Sequence, residues 1–417
     1  MPIRYFLALC LITCGLYLTG CPSPREQTPE ETGGLGDMGQ SVHYIPMDAP
    51  DGTSRAVVVE GVSLVHTTQI MPMNGGRELV GEGDLTKQID QVFVNLQAVL
   101  KGSGTDLDQI IKMNIYVDAL ETADLFLAKM KVALNAKVCP TVSVVITPLP
   151  CPGALVAVDA VATCEAKGEV ELFHRVDFRS SNVRLADVSV APVGGIVFFS
   201  GQPDKTQPRS EAANSSLSAL LEIAEQLDVD KNQILQIKVF IDDPLQAEEV
   251  LDVLDQNFPD QAIPPVIFVK WTASAPIEIE MIAHLPLDDE TPDEPLTFYT
   301  PPGVEASPKF SRVALVETDR LIFIGGLTAQ ESGDGETQVR DVFSQLESIL
   351  NEMGGDMTHL VKATYYVTDS DASDALGLLR PEYYDPARPP AASLVRVDGV
   401  AETDRTVTMD MIAVPGK

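Results

Sequence analysis

Basic residues are scarce in this chain of 417 amino acids. Lysine and arginine together number 29, against 61 aspartates and glutamates, which gives a formal net charge of −32 and a pI near 4.3. Such an excess of negative charge repels nucleic-acid phosphates and anionic lipid headgroups. The composition therefore argues against nucleic-acid binding, and we predict no nucleic-acid partner.

Histidine and cysteine are also sparse, and they are not arranged as metal ligands. The six cysteines include no C-x-x-C pair, and the five histidines are scattered singly along the chain. Structural zinc sites need several such ligands at short spacings. We predict no metal and no cofactor, and the spacing of Cys139, Cys151 and Cys164 does not identify a disulfide.

An apolar run stands near the N-terminus. Arg4 precedes YFLALCLITCGLYL, which is too short to cross a bilayer as a helix and is typical of a secretory signal peptide. The run ends in Leu18-Thr19-Gly20-Cys21, a tetrapeptide that resembles the lipobox of bacterial lipoproteins, in which cleavage before the cysteine follows its lipidation. The alternative is an ordinary signal peptide in which Cys21 has no role.

The segment after Cys21 is rich in proline, glycine and acidic residues, a composition typical of a flexible tether. We therefore predict a signal peptide over residues 1–20, a tether over 21–41, and attachment to a lipid membrane through acylated Cys21. Pro22 stands where an aspartate would resemble an inner-membrane retention signal. This favours the outer membrane, with the protein facing the periplasm.

The rest of the chain repeats one unit three times. An apolar stripe with helical spacing occurs after Lys87, and the same spacing recurs 250 residues later. A middle copy lies between them. The stripes are Ile89, Val92, Phe93, Leu96, Val99 and Leu100; Leu217, Leu220, Leu221, Ala224 and Leu227; and Val339, Val342, Phe343, Leu346, Ile349 and Leu350.

Each copy shows the same order of predicted elements. Two β-branched runs separated by a short turn predict a β pair, followed by helix, strand, helix, a proline-led strand and a final strand. This order predicts an α+β unit with helices on one face of a sheet. We place the repeats at 42–165, 170–286 and 297–414, with an acidic linker at 287–296.

At these segments the chain resembles the RidA/YjgF family, also called the L-PSP endoribonuclease family, whose members are enamine/imine deaminases. The resemblance rests on Ser200-Gly201-Gln202, on GDLTKQIDQVFVNLQAVL from Gly83, on GTDLDQIIKMNIYV from Gly104, on PPAAS at 389–393 and on EIEMIA at 278–283. It implies a chorismate-mutase-like fold that assembles as a trimer with small-molecule clefts between subunits. Three linked copies predict that this polypeptide forms a self-contained pseudo-trimer.

The resemblance also implies a site residue that is missing here. The family carries an arginine on the proline-led strand, where its planar fork grips a substrate carboxylate. Our sequence comparison places Thr141, Ile267 and Ala392 at that position, and none of the three is a cation. Arg55, Arg312 and Arg396 are candidates for a relocated cation, and Cys139 is a candidate reactive thiol or a small buried residue.

Other site positions are implied unevenly. The acid of the last strand, which resembles the group that orders the attacking water, corresponds to Asp159, Glu280 and Asp410. Thr67, Ser200 and Gly201 are the further substrate-binding candidates.

Two functions follow from these residues. Because the clamp arginine is missing from all three repeats, the first is a lipoprotein that binds a small metabolite or serves as a scaffold. The second is an enamine/imine deaminase with an altered substrate, in place of the 2-iminobutanoate/2-iminopropanoate type that the resemblance implies.

Overall fold

The computed structural model describes residues 41–47, 52–135, 137–174, 184–287 and 292–416. The predicted signal peptide, Cys21 and almost all of the tether lie outside these residues. Within the described ranges, none of the helices has the length and apolar character needed to cross a membrane.

The three repeats have the same element order. The first contains β1 (Ser41–Pro46), β2 (Ser54–Glu60), β3 (Ser63–Thr67), α1 (Leu85–Gly102), β4 (Ile110–Val117), α2 (Leu120–Ala133), β5 (Thr141–Ile146) and β6 (Val156–Cys164). The second contains β7 (Glu171–Phe173), β8 (Val188–Ala191), β9 (Gly195–Asp204), α3 (Arg209–Gln226), β10 (Ile234–Ile241), α4 (Ala247–Asn257), β11 (Val266–Lys270) and β12 (Ile277–Leu285). The third contains β13 (Leu296–Tyr299), β14 (Val313–Val316), β15 (Arg320–Thr328), α5 (Gly335–Glu352), β16 (Leu360–Val367), α6 (Ser370–Tyr383), β17 (Ala391–Arg396), β18 (Gly399–Val400) and β19 (Val407–Ala413).

Two of the long helices, α1 and α5, begin at acidic caps and bury the predicted stripes, whereas α3 begins after Pro208 without a side-chain cap. The Asp84 side chain accepts a hydrogen bond from the Lys87 backbone N–H at the start of α1, and Asp334 does the same for Thr337 in α5. The apolar stripes of α1 and α5 are buried along their length against the sheet of the same repeat. The helical periodicity predicted from the sequence is confirmed.

Each repeat forms a four-stranded sheet around one central strand. In the first repeat β4 pairs parallel with β5 and antiparallel with β6, and β6 pairs with β3. The same arrangement recurs as β11-β10-β12-β9 and as β17-β16-β19-β15. The fold is α+β, as predicted.

Strand pairing between repeats closes the chain into a ring. β3 pairs with β8, β9 pairs with β14, and β15 pairs with β2, so each repeat is joined to both others. The sequence predicts that the first two strands of a repeat pair with each other, but in the structure they have different partners. After the turn at Gly61 (φ +64°), β2 pairs with β15 of the third repeat and β3 pairs with β6 of its own repeat. The three repeats form an intrachain pseudo-trimer.

Candidate site at the repeat junctions

The three predicted acids lie at the centre of the ring, where all repeats meet. Asp159, Glu280 and Asp410 occupy equivalent places, each opposite the fifth residue of a central strand. All three are buried and line one cavity. Two of them accept from a lysine of another repeat: Lys112 Nζ lies 2.6 Å from Asp410 Oδ1, and Lys362 Nζ lies 2.5 Å from Glu280 Oε2. These two acids are therefore held in inter-repeat ion pairs.

The third acid has a different environment. Asp159 accepts hydrogen bonds from Asn114 and from the Tyr116 hydroxyl, at 3.0 and 2.6 Å, within its own repeat. Gln236 takes the strand position that Lys112 and Lys362 hold in the other repeats, and the cation is moved two residues along, to Lys238.

Lys238 remains charged in this buried place. Burial alone would lower its pKa, but the surrounding groups, which include Tyr366 and Asp159, outweigh burial and raise the pKa. For Asp159, burial raises the pKa, and among the groups that lower it Lys238 has the largest effect. The centre of the ring therefore holds three lysines and three carboxylates. Two lysine–carboxylate pairs are in direct contact, and the third lysine, Lys238, lies two residues further along its strand than its equivalents.

The register of the proline-led strands corrects the predicted clamp positions. The fourth residue of each central strand pairs with Val142, Val266 and Ala392, respectively. The first two assignments, Thr141 and Ile267, therefore move by one residue, whereas Ala392 stays in place. Thr141 and Ile267 are both fully buried. The three equivalent side chains, Val142, Val266 and Ala392, are uncharged.

The residues of the first repeat that match Ser200 and Gly201 also lie one position later than the sequence prediction placed them. After a bulge, Ile70, Gln202 and Leu327 pair with equivalent residues of the last strands. Thr68 and Gln69 therefore match Ser200 and Gly201. Thr67 lies further inside the sheet, where its hydroxyl accepts from the Ala160 N–H at 2.9 Å.

The junction between repeats 2 and 3, called the 2/3 junction, brings together Ser200, Gly201, Glu278, Ala392 and Ser393. The Ser200 hydroxyl donates to the Ser311 carbonyl and accepts from the Ala392 N–H at 2.7 Å. The Glu278 carboxyl lies over Gly201, in the space that a side chain on residue 201 would fill. Ser393 donates to Glu280, so this junction reaches the central ring.

Glu278 is the buried carboxyl of this junction that faces Gly201. It is 7% exposed, and burial raises its pKa to about 8, with Glu280 adding to the effect and with Lys362 and Ser393 opposing it. A carboxyl of this kind is mostly protonated at neutral pH and both donates and accepts hydrogen bonds. Our sequence reasoning missed it and chose Glu280 from the same EIE motif. The alternation of a strand places both glutamates on one face, which is the signal that could have identified Glu278.

The 1/2 junction is filled by a side chain of its own. Gln69, in the place of Gly201, donates to the Phe268 carbonyl at 3.1 Å and accepts from the Phe268 N–H at 3.2 Å. Ala157 stands where the 2/3 junction has Glu278. Among the described residues, the position equivalent to Glu278 therefore carries no acid at this junction.

The 3/1 junction is neutral and closely packed. A Cβ on Gly326 would lie 3.0 Å from Ser143 Cα and 3.0 Å from Thr408 Oγ1. Thr408 stands where the 2/3 junction has Glu278. The three junctions have therefore diverged, and of the described residues only the 2/3 set combines a glycine, two serines and a carboxyl at this place.

The candidate replacement cations are engaged elsewhere. Arg55 pairs with Glu352 at 2.7 Å, the Arg312 guanidinium lies over the Phe310 ring, and exposed Arg396 points its Nε toward the Thr368 carbonyl. Cys139 is half-buried and, like Cys151 and Cys164, is a free thiol. No cluster of metal ligands occurs in the described part of the chain.

A ring of three α+β repeats joined by strand pairing defines the class of this protein. A sequence model of the family described as Endoribonuclease L-PSP matches residues 51–164 and 303–415, which correspond to the first and third repeats. The chain belongs to this family, that of RidA and YjgF.

Similar proteins include members of the same family. The chain is 31% identical over 88 residues to a RutC family protein, slr0709, from Synechocystis, a match that spans 21% of this chain and 67% of that protein. Among solved structures, NMB1025 of Neisseria meningitidis, described as a YjgF family member, is 22% identical with a TM-score of 0.23 and covers 29% of this chain and 96% of that one. The Rid family protein YyfB of Yersinia pestis is 24% identical with a TM-score of 0.27 and covers 30% and 99%, respectively.

Proposed function

We propose that this chain is a membrane-anchored lipoprotein that binds a small uncharged metabolite at the 2/3 junction. The observation that carries the proposal is the combination of Ala392, which offers a ligand no charge, with Glu278, whose raised pKa keeps its carboxyl mostly protonated. An anionic ligand would meet the Glu280 carboxylate there, while Lys362 is already paired with Glu280. A neutral ligand with one acceptor and one donor suits a protonated carboxyl.

Hydrolytic deamination of an uncharged imine is the second candidate function. It is favoured by the pKa of Glu278, about 8, which lies close to the working pH that general acid–base catalysis requires. In this alternative Glu278 donates a proton to the imine nitrogen and then accepts one from the attacking water. Glu278 takes the role first assigned to Asp159, Glu280 and Asp410, because Glu280 and Asp410 are held by lysines.

One set of measurements separates the two candidates. The purified protein is tested for ammonia release from 2-iminopropanoate and from uncharged imines, beside Glu278→Gln and a control substitution of an exposed acid, Glu331→Gln. Binding without turnover predicts that small uncharged amides and imines raise the Tm of the wild type, of Glu331→Gln and of Glu278→Gln, whose neutral amide still donates and accepts hydrogen bonds, but not of Glu278→Leu, and that ammonia release stays at the spontaneous rate. Ammonia release that is lost only in Glu278→Gln replaces the first candidate with the second.

The anchor is tested separately. Labelling of cells with a radioactive fatty acid is expected to mark the wild-type chain and not Cys21→Ser, which should also keep its signal peptide because cleavage follows lipidation. Equal labelling of both chains would overturn the lipoprotein part of the proposal.

A further inference from the structure

The cavity at the centre of the ring departs from threefold symmetry at two places. Its volume is about 40 Å³, and all three repeats line it. In the first departure, β10 has neutral Gln236 where the other repeats have a lysine, and its own lysine, Lys238, lies two residues later on the cavity wall. The other is His66, whose equivalents in the other repeats are Phe198 and Phe323. The histidine makes the cavity wall more polar, whereas the exchange along β10 changes the position of a lysine in it.

Several polar atoms facing this region have no partner within the described chain. His66 is 3% exposed, and neither of its ring nitrogens makes a hydrogen bond. The Asn114 side-chain oxygen and the Tyr366 hydroxyl are also buried and make no hydrogen bond within the described chain. Buried polar groups in folded proteins are almost always hydrogen-bonded, so this concentration of unmet groups points to a bound species.

The chemistry of the wall defines that species. Lys238 only donates, the Asn114 oxygen only accepts, and His66 offers one donor and one acceptor, because burial lowers its pKa to about 4 and keeps the ring neutral. An anion would face Asp159, Glu280 and Asp410, and it would give nothing to the Asn114 oxygen. A cation would face the lysines. Only a small neutral molecule with both donors and acceptors meets every group.

We propose that the central cavity binds a cluster of about two or three water molecules that bridge Lys238 to Asp159 and hydrogen-bond to His66 and Asn114. A volume of about 40 Å³ has room for this number, since one water needs roughly 10–15 Å³ of such space. The ring then has two direct inter-repeat ion pairs and a third pair that is mediated by water. This inference is independent of the function proposed for the 2/3 junction.

A double substitution that restores the pattern of the third repeat tests the proposal. Gln236→Lys combined with Lys238→Thr copies Lys362 and Thr364, and it should place a direct ion pair against Asp159. Oxygen-17 magnetic relaxation dispersion of the purified protein is expected to count at least one long-lived water fewer in the double variant than in the wild type, because the water between Lys238 and Asp159 is no longer needed. Equal counts in a folded double variant would overturn the proposal.

A crystal structure of the wild type gives a second, variant-free test. Ordered water within hydrogen-bonding distance of Lys238 Nζ and of a His66 nitrogen is the expected result. A dry cavity, or density for a buffer anion, would overturn the proposal. His66→Phe, which introduces the residue that the other two repeats use, should remove at least one of these waters and leave the two direct ion pairs in place.

Discussion

The carboxyl group of Glu278 lies over Gly201 so closely that no side chain fits between them. A Cβ atom on residue 201 would lie 1.9 Å from Glu278 Oε1 and 2.4 Å from Cδ. The obstructing atoms belong to the end of a flexible side chain and not to the backbone. The glycine thus allows the acid to occupy the 2/3 junction.

Gly201→Ala is expected to displace Glu278 from this position. Overpacking should lower the free energy of unfolding by about 1–3 kcal/mol, and a displaced carboxyl should recover a more ordinary pKa as it regains water. Chemical denaturation with a crystal structure of the variant measures both effects. Gly377→Ala in helix α6 is the control, because a Cβ there would have only Lys309 Nζ nearby, at 3.7 Å. This substitution should leave the free energy of unfolding unchanged or raise it slightly. An unmoved Glu278 in the Gly201→Ala crystal would contradict the prediction.

Glu278 should also give the protein a distinctive pH dependence. Its folded-state pKa of about 8 lies above the usual 4.5, so between these two pH values the folded state keeps a proton that the unfolded chain has lost. The stability that depends on this group is complete below about pH 4.5 and is lost as pH rises toward about 8. Relative to Glu278→Gln, the wild type should lose on the order of a few kcal/mol over this window, measured by urea denaturation at several pH values. A difference between the two proteins that stays constant with pH would show that the carboxyl is not perturbed.

Local features of the fold were predictable because their causes are local. The stripes of α1 and α5 follow from a 3.6-residue period, and their caps follow from single aspartates. The partners of β2 and β3 were not predictable in the same way, because they are set by ring closure between distant repeats. β2 pairs with β15 more than 250 residues away, and no short-range pattern encodes that choice.

The ion pair between Lys112 and Asp410 joins the first repeat to the third. Both side chains are almost fully buried, at 6% and 7% exposure, so the loss of one partner leaves a charge without compensation. Lys112→Met is expected to cost about 3–5 kcal/mol of stability, and Lys112→Met combined with Asp410→Leu should recover much of it. Lys129→Met, which breaks an exposed pair with Asp90, is the control and should cost about 1 kcal/mol or less. Similar losses for the buried and exposed pairs would contradict the structural assignment.

The sequence alone does not set the register of the strands at the junctions. It does not reveal that Val142 and Val266, in place of Thr141 and Ile267, are the equivalent residues, because the proline that leads each strand does not fix its register. Nor does it reveal that Gln69 fills the 1/2 junction, since that contact depends on Phe268, 199 residues away.

Restoring a cation at Ala392 offers a gain-of-function test of the whole interpretation. Ala392→Arg introduces a guanidinium on the residue whose N–H binds the Ser200 hydroxyl, and a charged hydrogen-bonding partner at this junction should tighten the binding of pyruvate by a factor of about 10 to 100. Calorimetric titration measures this change, and ammonia release from 2-iminopropanoate reports any turnover. Val142→Arg is the matched control at the 3/1 junction, where Thr408 replaces the acid; it should bind the carboxylate without turnover. If folded Ala392→Arg binds pyruvate no better than the wild type, then the missing arginine is not what separates this chain from a carboxylate-binding relative.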